Sequence, residues 1–207
     1  MPETKSKKFS VNADGIFKQN IVLMSGLVTA PVIVAATTAE RAVMLILSFF
    51  LISYTGILLC RFIPRRIVYI VRILLYAVVA AAMYIPTMIL LERLFPEGVS
   101  GVSLYVGLMV VNSFLLAKTE TRFYLKPYSE MTLDAFIYVL GFAMVTLVVG
   151  VVREILAYGT VYTFHLCEPI MPAAKSPFFG FILVGILAAF CRGISGRRTS
   201  GRKEREA

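Results

Sequence analysis

Residues 21–38 read IVLMSGLVTAPVIVAATT, an uncharged stretch barely long enough to cross a bilayer, since a spanning helix needs roughly 20 apolar residues. Four residues that weaken a helix fall together at its centre: Ser25, Gly26, Thr29 and Pro31. Pro31 also lacks the N–H that a helical hydrogen bond requires. In hydrocarbon, a broken helix persists only where protein or a cavity satisfies the freed backbone groups. We therefore predict two half-helices that meet near the membrane midplane, with an ordinary kinked spanning helix as the alternative.

The composition is typical of a membrane protein. Hydrophobic residues make up 58% of the 207 residues and charged residues only 16%, which leaves no room for a separate soluble domain. The net charge of +9 lies between and beyond the apolar runs, as in loops that face anionic lipid. We therefore expect membrane lipid as a partner and no nucleic acid.

Six apolar segments follow one another along the chain. They are 21–38, 42–60, 67–91, 103–117, 133–158 and 178–190. With the N-terminus inside, the inner side holds 16 Lys and Arg residues and the outer side 4. This bias supports an even number of crossings with both termini in the cytoplasm. We predict a basic N-terminus at 1–20, a membrane domain at 21–192 and a basic cytoplasmic tail at 193–207.

The segment lengths indicate an internal repeat. Both halves, 21–95 and 103–192, open with a short weak segment, and Ser103–Ala117 is the second of these. Three crossings per half make the second half enter from the opposite side, as in several transporter folds. The predicted fold is therefore all-α and polytopic, with six transmembrane segments in two inverted three-helix repeats and broken first and fourth segments.

Few residues are candidates for chemistry. Glu154 with its neighbour Arg153, Glu40 and Glu120 are candidates for an ion path, because a carboxylate inside a membrane is a functional hypothesis by default. For Arg153 and Glu154 the favoured alternative is an ion pair that snorkels at the end of a helix. Glu40 and Glu120 can instead cap helices or form ion pairs with their neighbours Arg41 and Arg122. Asn112 is expected to satisfy freed backbone groups, and Arg72 to snorkel inward. No catalytic triad, phosphate loop or metal cluster is present in the sequence, so we predict no catalytic residue and no metal site.

An ordered series of short motifs resembles the RnfE/NqrD family, whose members are integral subunits of Rnf and sodium-pumping NADH:quinone oxidoreductase complexes. The similarity covers roughly residues 15–192. Its pieces are Asn20 with Pro31, the basic turn Ile63–Ile67, Val110–Ala117 with Asn112, Asp134 with Gly141 and Phe142, and Arg153–Leu156 with Gly159 and Thr160.

The resemblance implies a location in a bacterial plasma (inner) membrane and a partner, a homologous subunit of opposite topology (RnfA/NqrE-like), beside other redox subunits. It also implies one two-iron, two-sulfur cluster shared by the pair, with two cysteines from the broken segments of each partner. Thiolates suit such a cluster. The cluster passes electrons across the membrane, coupled to the movement of sodium ions or protons.

The chain departs from the family at both cysteine positions. Ala30 stands where the family's first cysteine precedes the proline, and Ser113 stands where the second follows the asparagine. Alanine offers no ligand, and a serine hydroxyl hardly ionises near neutral pH. Cys60, Cys167 and Cys191 are elsewhere. We therefore expect that this chain alone binds no cofactor.

Two functions remain open. The first is a subunit of an Rnf/Nqr-like electron-transport complex that translocates Na+ or H+, without its own iron–sulfur cluster and without catalysis of its own. The second is a small transporter or permease component on the same scaffold, with no redox chemistry. A scaffold subunit without transport is a third option.

Overall fold

The computed structural model describes residues 20–64, 66–121, 123, 127–162, 164–166 and 168–203, without the side chains at 113, 117 and 194–203. The predicted N-terminus 1–20 therefore lies outside the described residues except for Asn20, and Cys167 lies outside them too. Within the described residues the chain is mostly helical, with one short hairpin. Three helical stretches are long and apolar enough to cross a membrane: Ala39–Cys60, Tyr69–Leu94 and Tyr128–Tyr158.

Eight α-helices and two short strands are described. The helices are α1 (Thr29–Ala35), α2 (Ala39–Phe49), α3 (Thr55–Cys60), α4 (Tyr69–Leu94), α5 (Ser103–Leu108), α6 (Ser113–Thr121), α7 (Tyr128–Tyr158) and α8 (Pro177–Lys203). A π-helical segment, Phe50–Tyr54, joins α2 to α3, and short 3-10 turns cover Val99–Gly101 and Pro172–Lys175. Strands β1 (Thr160–Val161) and β2 (Phe164–His165) pair antiparallel.

Helices α2 and α7 form the centre of the bundle and run antiparallel. The backbone N–H of Ala39 meets the Glu154 carboxylate at one end, and the rings of Tyr54 and Phe136 touch at the other. Between these points Phe49 stacks on Phe142 with ring centroids 4.1 Å apart. This pair therefore fixes the direction of the bundle, whose ends we call the Arg153 end and the Arg72 end.

Helix α4 lies at the periphery. Only Tyr76, Ala80, Thr87 and Leu91 of its 26 residues are buried. Its exposed side chains are mostly large and apolar, among them Ile70, Val78 and Ile85. A helix with this surface is suited to face lipid on most of its circumference.

The two short helices α1 and α6 end on opposite sides of the bundle. The carbonyl of Ile33 in α1 receives a hydrogen bond from Arg153, near the C-terminal end of α7. Glu120 in α6 instead binds Arg72, near the start of α4, which follows α3 at the other end. The half-helices therefore point in opposite directions.

The structure adds detail to two parts of the chain. The segment from 193 that is predicted as a basic tail is helical up to Lys203, as a continuation of α8. The connection 159–176 contains the β1–β2 hairpin and a 3-10 turn. The apolar part of α8, Pro177–Gly193, is shorter than the three long stretches.

Candidate functional site

The first short segment is broken just before α1. Gly26 and Val28 both have left-handed backbone angles, with φ of 65° and 57°, and such angles are strained for a branched residue such as valine. Asn20 holds the preceding turn, because its Oδ1 accepts from the N–H groups of Val22 at 2.9 Å and Leu23 at 3.2 Å. Its Nδ2 donates to the carbonyl of Gly141 in α7 at 2.9 Å. Asn20 therefore supports the turn and attaches it to the central helix.

Asn112 has the same role in the fourth segment, between α5 and α6. Its Oδ1 accepts from the N–H of Leu115 at 2.7 Å, and its Nδ2 donates to the carbonyl of Met109 at 2.6 Å. The same Nδ2 donates to Ser53 Oγ in the π-helical segment at 2.8 Å. Asn112 is buried, and its amide satisfies backbone groups as expected from the sequence.

The two breaks meet at one small cavity of about 220 Å³. Its lining residues are Val28, Thr29, Ala30, Pro31, Leu108, Val111 and Asn112. The cavity is open at the protein surface, where Gly26, Ala30 and Val111 are exposed. Ser113 begins α6 beside this cavity, but its side chain lies outside the described residues.

The described lining of this cavity offers no thiolate to an iron–sulfur cluster. None of its lining residues carries a thiol, and its two polar side chains are the hydroxyl of Thr29 and the amide of Asn112. Cys60 is buried at the end of α3, and Cys191 lies beside Leu187 in α8. In the described part of the chain, no group of three His, Cys, Asp or Glu residues is placed to hold a metal ion.

Arg153 is fully buried and binds backbone carbonyls instead of a carboxylate. Its Nη1 donates to the carbonyls of Ile33 at 2.7 Å and Ala36 at 3.2 Å, just where α1 ends. Its Nε donates to the carbonyl of Ala174 at 3.0 Å. Two further carbonyls, those of Lys175 and Ser176, accept from Nη2 at 3.1 Å each. The interpretation as a snorkelling ion pair is therefore wrong for Arg153, because the ends of α1 and of the 3-10 turn enclose its guanidinium group.

Glu154 points to the other side of α7. Its Oε2 accepts from the N–H of Ala39, the first residue of α2, at 2.6 Å. Its Oε1 accepts from Thr160 Oγ1 at 3.3 Å. A carboxylate is favoured at this position because the first N–H groups of a helix carry partial positive charge.

Glu154 and Glu40 line a shared cavity of about 420 Å³ at the Arg153 end. Thr38, Tyr158, Thr160 and Tyr162 complete its lining. The sequence analysis predicted the two carboxylates but not the four hydroxyl residues around them. Thr38 could have been found, because it caps the start of α2 by accepting from the N–H of Arg41, and threonine is a common cap residue. The other three are brought to the cavity only by the fold.

Glu120 lies far from that cavity, at the Arg72 end. Arg72 binds it through two nitrogens, with Nε–Oε1 at 2.5 Å and Nη2–Oε2 at 2.8 Å. The hydroxyl of Tyr76 donates to the same Oε1 at 2.5 Å. The sequence position of Arg72 suggested that it snorkels. Instead, it joins the peripheral helix α4 to α6.

Comparison with known proteins gives a consistent result. A family model described as "Rnf-Nqr subunit, membrane protein" matches residues 8–188. One subunit of the Na(+)-translocating NADH-quinone reductase of Pseudoalteromonas atlantica is 25% identical, covering 94% of this chain and 96% of the relative. One subunit of the Na(+)-translocating ferredoxin:NAD(+) oxidoreductase complex of Acetobacterium woodii is 24% identical, over 84% of this chain and 90% of the relative. Both relatives are thus named as parts of ion-translocating oxidoreductases.

Proposed function

The chain belongs to the Rnf-Nqr family of membrane subunits, and on this basis we propose that it is an integral subunit of an electron-transport complex that translocates Na+ or H+. The family match over residues 8–188 carries the proposal. The test is affinity purification of the full chain from its native membrane in mild detergent. We expect a homologous membrane subunit and flavin- or iron-containing redox subunits to co-purify, and recovery of the chain without them would contradict the proposal.

The proposed topology has six crossings in two inverted repeats, in a bacterial inner membrane with both termini in the cytoplasm. The opposite directions of α1 and α6 support this arrangement. So does the use of an asparagine, Asn20 or Asn112, at the break in each half. Reporter fusions at the C-terminus and at the exposed loop residue Glu97 test it. A cytoplasmic signal at the first and an external signal at the second are expected, and the same signal at both would contradict it.

The broken segments support a partner at the cavity between them. Backbone that is irregular at membrane depth must be covered by protein, because lipid cannot form hydrogen bonds with it. Gly26 and Ala30 are exposed in the described structure, so this chain alone leaves that surface open. We assign its cover to a homologous subunit of opposite topology. Cysteine introduced at Val111 should crosslink to that subunit, whereas cysteine at Ile85 on the peripheral helix α4 should not.

The side chains around the cavity support the proposal that this subunit supplies no cysteine ligands to a shared two-iron, two-sulfur cluster. Ala30 supplies no donor atom, and the thiols of Cys60 and Cys191 are elsewhere. In the purified complex, changing all three cysteines of this chain to serine should leave the iron content and the thiolate-to-iron absorption band unchanged. Loss of iron and of that band in this variant would overturn the assignment.

The cavity lined by Glu40 and Glu154 is the proposed position for a cation at the Arg153 end of the path. Glu120 is less suited, because the guanidinium group of Arg72 already balances its charge, whereas Glu154 accepts only from neutral groups. Arg153 is bound to carbonyls. In the purified complex, Glu40→Gln should raise the sodium or proton concentration needed for half-maximal transport. Glu97→Gln, an exposed control in another loop, should leave it unchanged, and an equal response of both variants would contradict the proposal.

The alternative is a transporter or permease component without redox chemistry. Ala30 at the family's cysteine position favours it, since this chain then has no direct part in electron transfer. Neighbouring genes that encode a binding protein or an ATPase, and not flavin and ferredoxin subunits, would support this alternative. Transport by the chain alone in vesicles, without an electron donor, would decide for it.

A further inference from the structure

The β1–β2 hairpin has two chemically different faces. Thr160 pairs with His165 and Val161 with Phe164, and successive residues of a strand point to opposite sides. The hydroxyl of Thr160 bonds to Glu154 and lines the acidic cavity. Val161 and Phe164 therefore lie on the face turned away from that cavity, where Phe164 is 76% exposed.

The connection that contains the hairpin lies beside the end of α7. The N–H of Met171 donates to the carbonyl of Leu156 at 2.8 Å, and Arg153 binds the carbonyls of Ala174 and Lys175. Residues 171–175 therefore lie level with 153–156, below the last turn of α7.

This level corresponds to the edge of the hydrocarbon region. The uncharged run Ala135–Val152 of α7 ends directly before Arg153. At 1.5 Å per residue its length is about 27 Å, close to the roughly 30 Å of a bilayer core. Residues 171–175 are therefore at headgroup depth, and so is the start of the hairpin, because the Thr160 hydroxyl bonds to Glu154.

The apolar surface of this connection continues onto α8. Leu166, Ile170 and Met171 are exposed at 64%, 67% and 43%. Phe178, in the first turn of α8, is 73% exposed, and Ile182 and Ile186 follow it at intervals of four residues on the same helix face. The connection therefore extends the apolar side of a helix that borders lipid.

We propose that the hairpin is an interfacial anchor whose Val161 and Phe164 face inserts at the boundary of headgroups and acyl chains. The occupant of this surface is the lipid of the leaflet at the Arg153 end. The chain has no tryptophan, so phenylalanine and tyrosine must supply its aromatic residues at the membrane interface. Insertion holds the opposite face of the hairpin, with Thr160, over the acidic cavity.

The absence of tryptophan provides the test. Phe164→Trp makes the full chain emit from a single indole, and His165→Trp places the same indole on the opposite face. Both variants are measured in nanodiscs whose lipids carry bromine near the top of the acyl chains. We expect blue-shifted emission from Phe164→Trp and loss of most of its intensity with brominated lipid, and a smaller loss from His165→Trp. Equal quenching of both, or water-like unquenched emission from Phe164→Trp, would overturn the anchor.

A second measurement separates lipid from a protein partner. Benzoylphenylalanine at position 164 is photo-crosslinked in the native membrane with the whole complex assembled. A lipid adduct on the chain is expected, while an adduct to another subunit would overturn the proposal. The same substitution at Leu166 repeats the test if position 164 reduces expression, and the same two outcomes apply to it.

Discussion

Replacing Arg153 by methionine should destabilise the protein more than any other single exchange of a charged residue in the described part of the chain. The change keeps most of the side-chain volume but removes five donated hydrogen bonds. Three of the accepting carbonyls, those of Ile33, Ala36 and Ala174, are then left in buried surroundings. Each buried group left without a partner costs about 1–3 kcal/mol. Since water and local relaxation recover part of this sum, we expect a loss of about 3–5 kcal/mol, as for a broken buried network.

The assay is thermal unfolding of the full chain in a mild detergent, followed by the monodisperse fraction in size-exclusion chromatography. A loss of this size lowers the midpoint by on the order of 10 °C for a chain of about 200 residues. Arg153→Lys should fall between the wild type and Arg153→Met, because one ammonium group keeps the charge but cannot reach all five carbonyls.

Arg93 provides the matched control, since it also lies near the Arg153 end but is exposed in the last turn of α4. Arg93→Met should shift the midpoint by no more than a degree or two, as expected for a surface substitution within about 0.5 kcal/mol. The reasoning would be refuted if Arg153→Met and Arg93→Met had the same midpoint.

The other predictions concern the second break, the peripheral helix and the central pair. Asn112→Ala should lower the free energy of unfolding by about 2–4 kcal/mol through three lost buried hydrogen bonds, and a midpoint equal to that of the wild type would contradict this. Glu120→Gln should weaken the ion pair that links Arg72 to α6, seen as faster protease cleavage of the connection between α3 and α4, next to Arg72; unchanged cleavage would argue against the ion pair as the link. Gly150→Ala should destabilise by about 1–3 kcal/mol, because the new methyl would lie 2.7 Å from the Cβ of Ala42. Gly107→Ala, which meets nothing within 4 Å, is its control and should be neutral in the same thermal assay.

Local chemistry made the breaks predictable. Glycine changes the backbone preference at its own position, so Gly26 marked the interruption without any tertiary information. Pro31 did not, because it lies in the first turn of α1, where a helix needs no N–H donor. The role of Asn112 was predictable for a similar reason, because its side chain hydrogen-bonds to backbone groups only three residues away in the sequence.

The environment of Arg153 could not be predicted in this way. Its acceptors are backbone carbonyls from residues 33–36 and 174–176, and a carbonyl is present at every residue, so no residue type marks the partner. The position of Arg153 near a helix end therefore suggested exposure, although the two distant segments close over it.

The hairpin has only a weak signal in the sequence. Residues 160–166 read TVYTFHL, a β-branched and aromatic run after Gly159, and such residues favour strands. The apolar and polar positions do not alternate cleanly there, so the pattern alone does not distinguish a strand from a loop.

Two hydrogen bonds imply that the first apolar segment can complete its structure only after α7 has been synthesised. Asn20 donates to Gly141, which is 121 residues further along the chain, and the end of α1 depends on Arg153, 120 residues beyond Ile33. At about 5–20 residues per second of translation, several seconds pass between the emergence of the first segment and that of α7. The first apolar segment is therefore among the last to be completed, and the insertion machinery or water must shelter its polar backbone until α7 has been made.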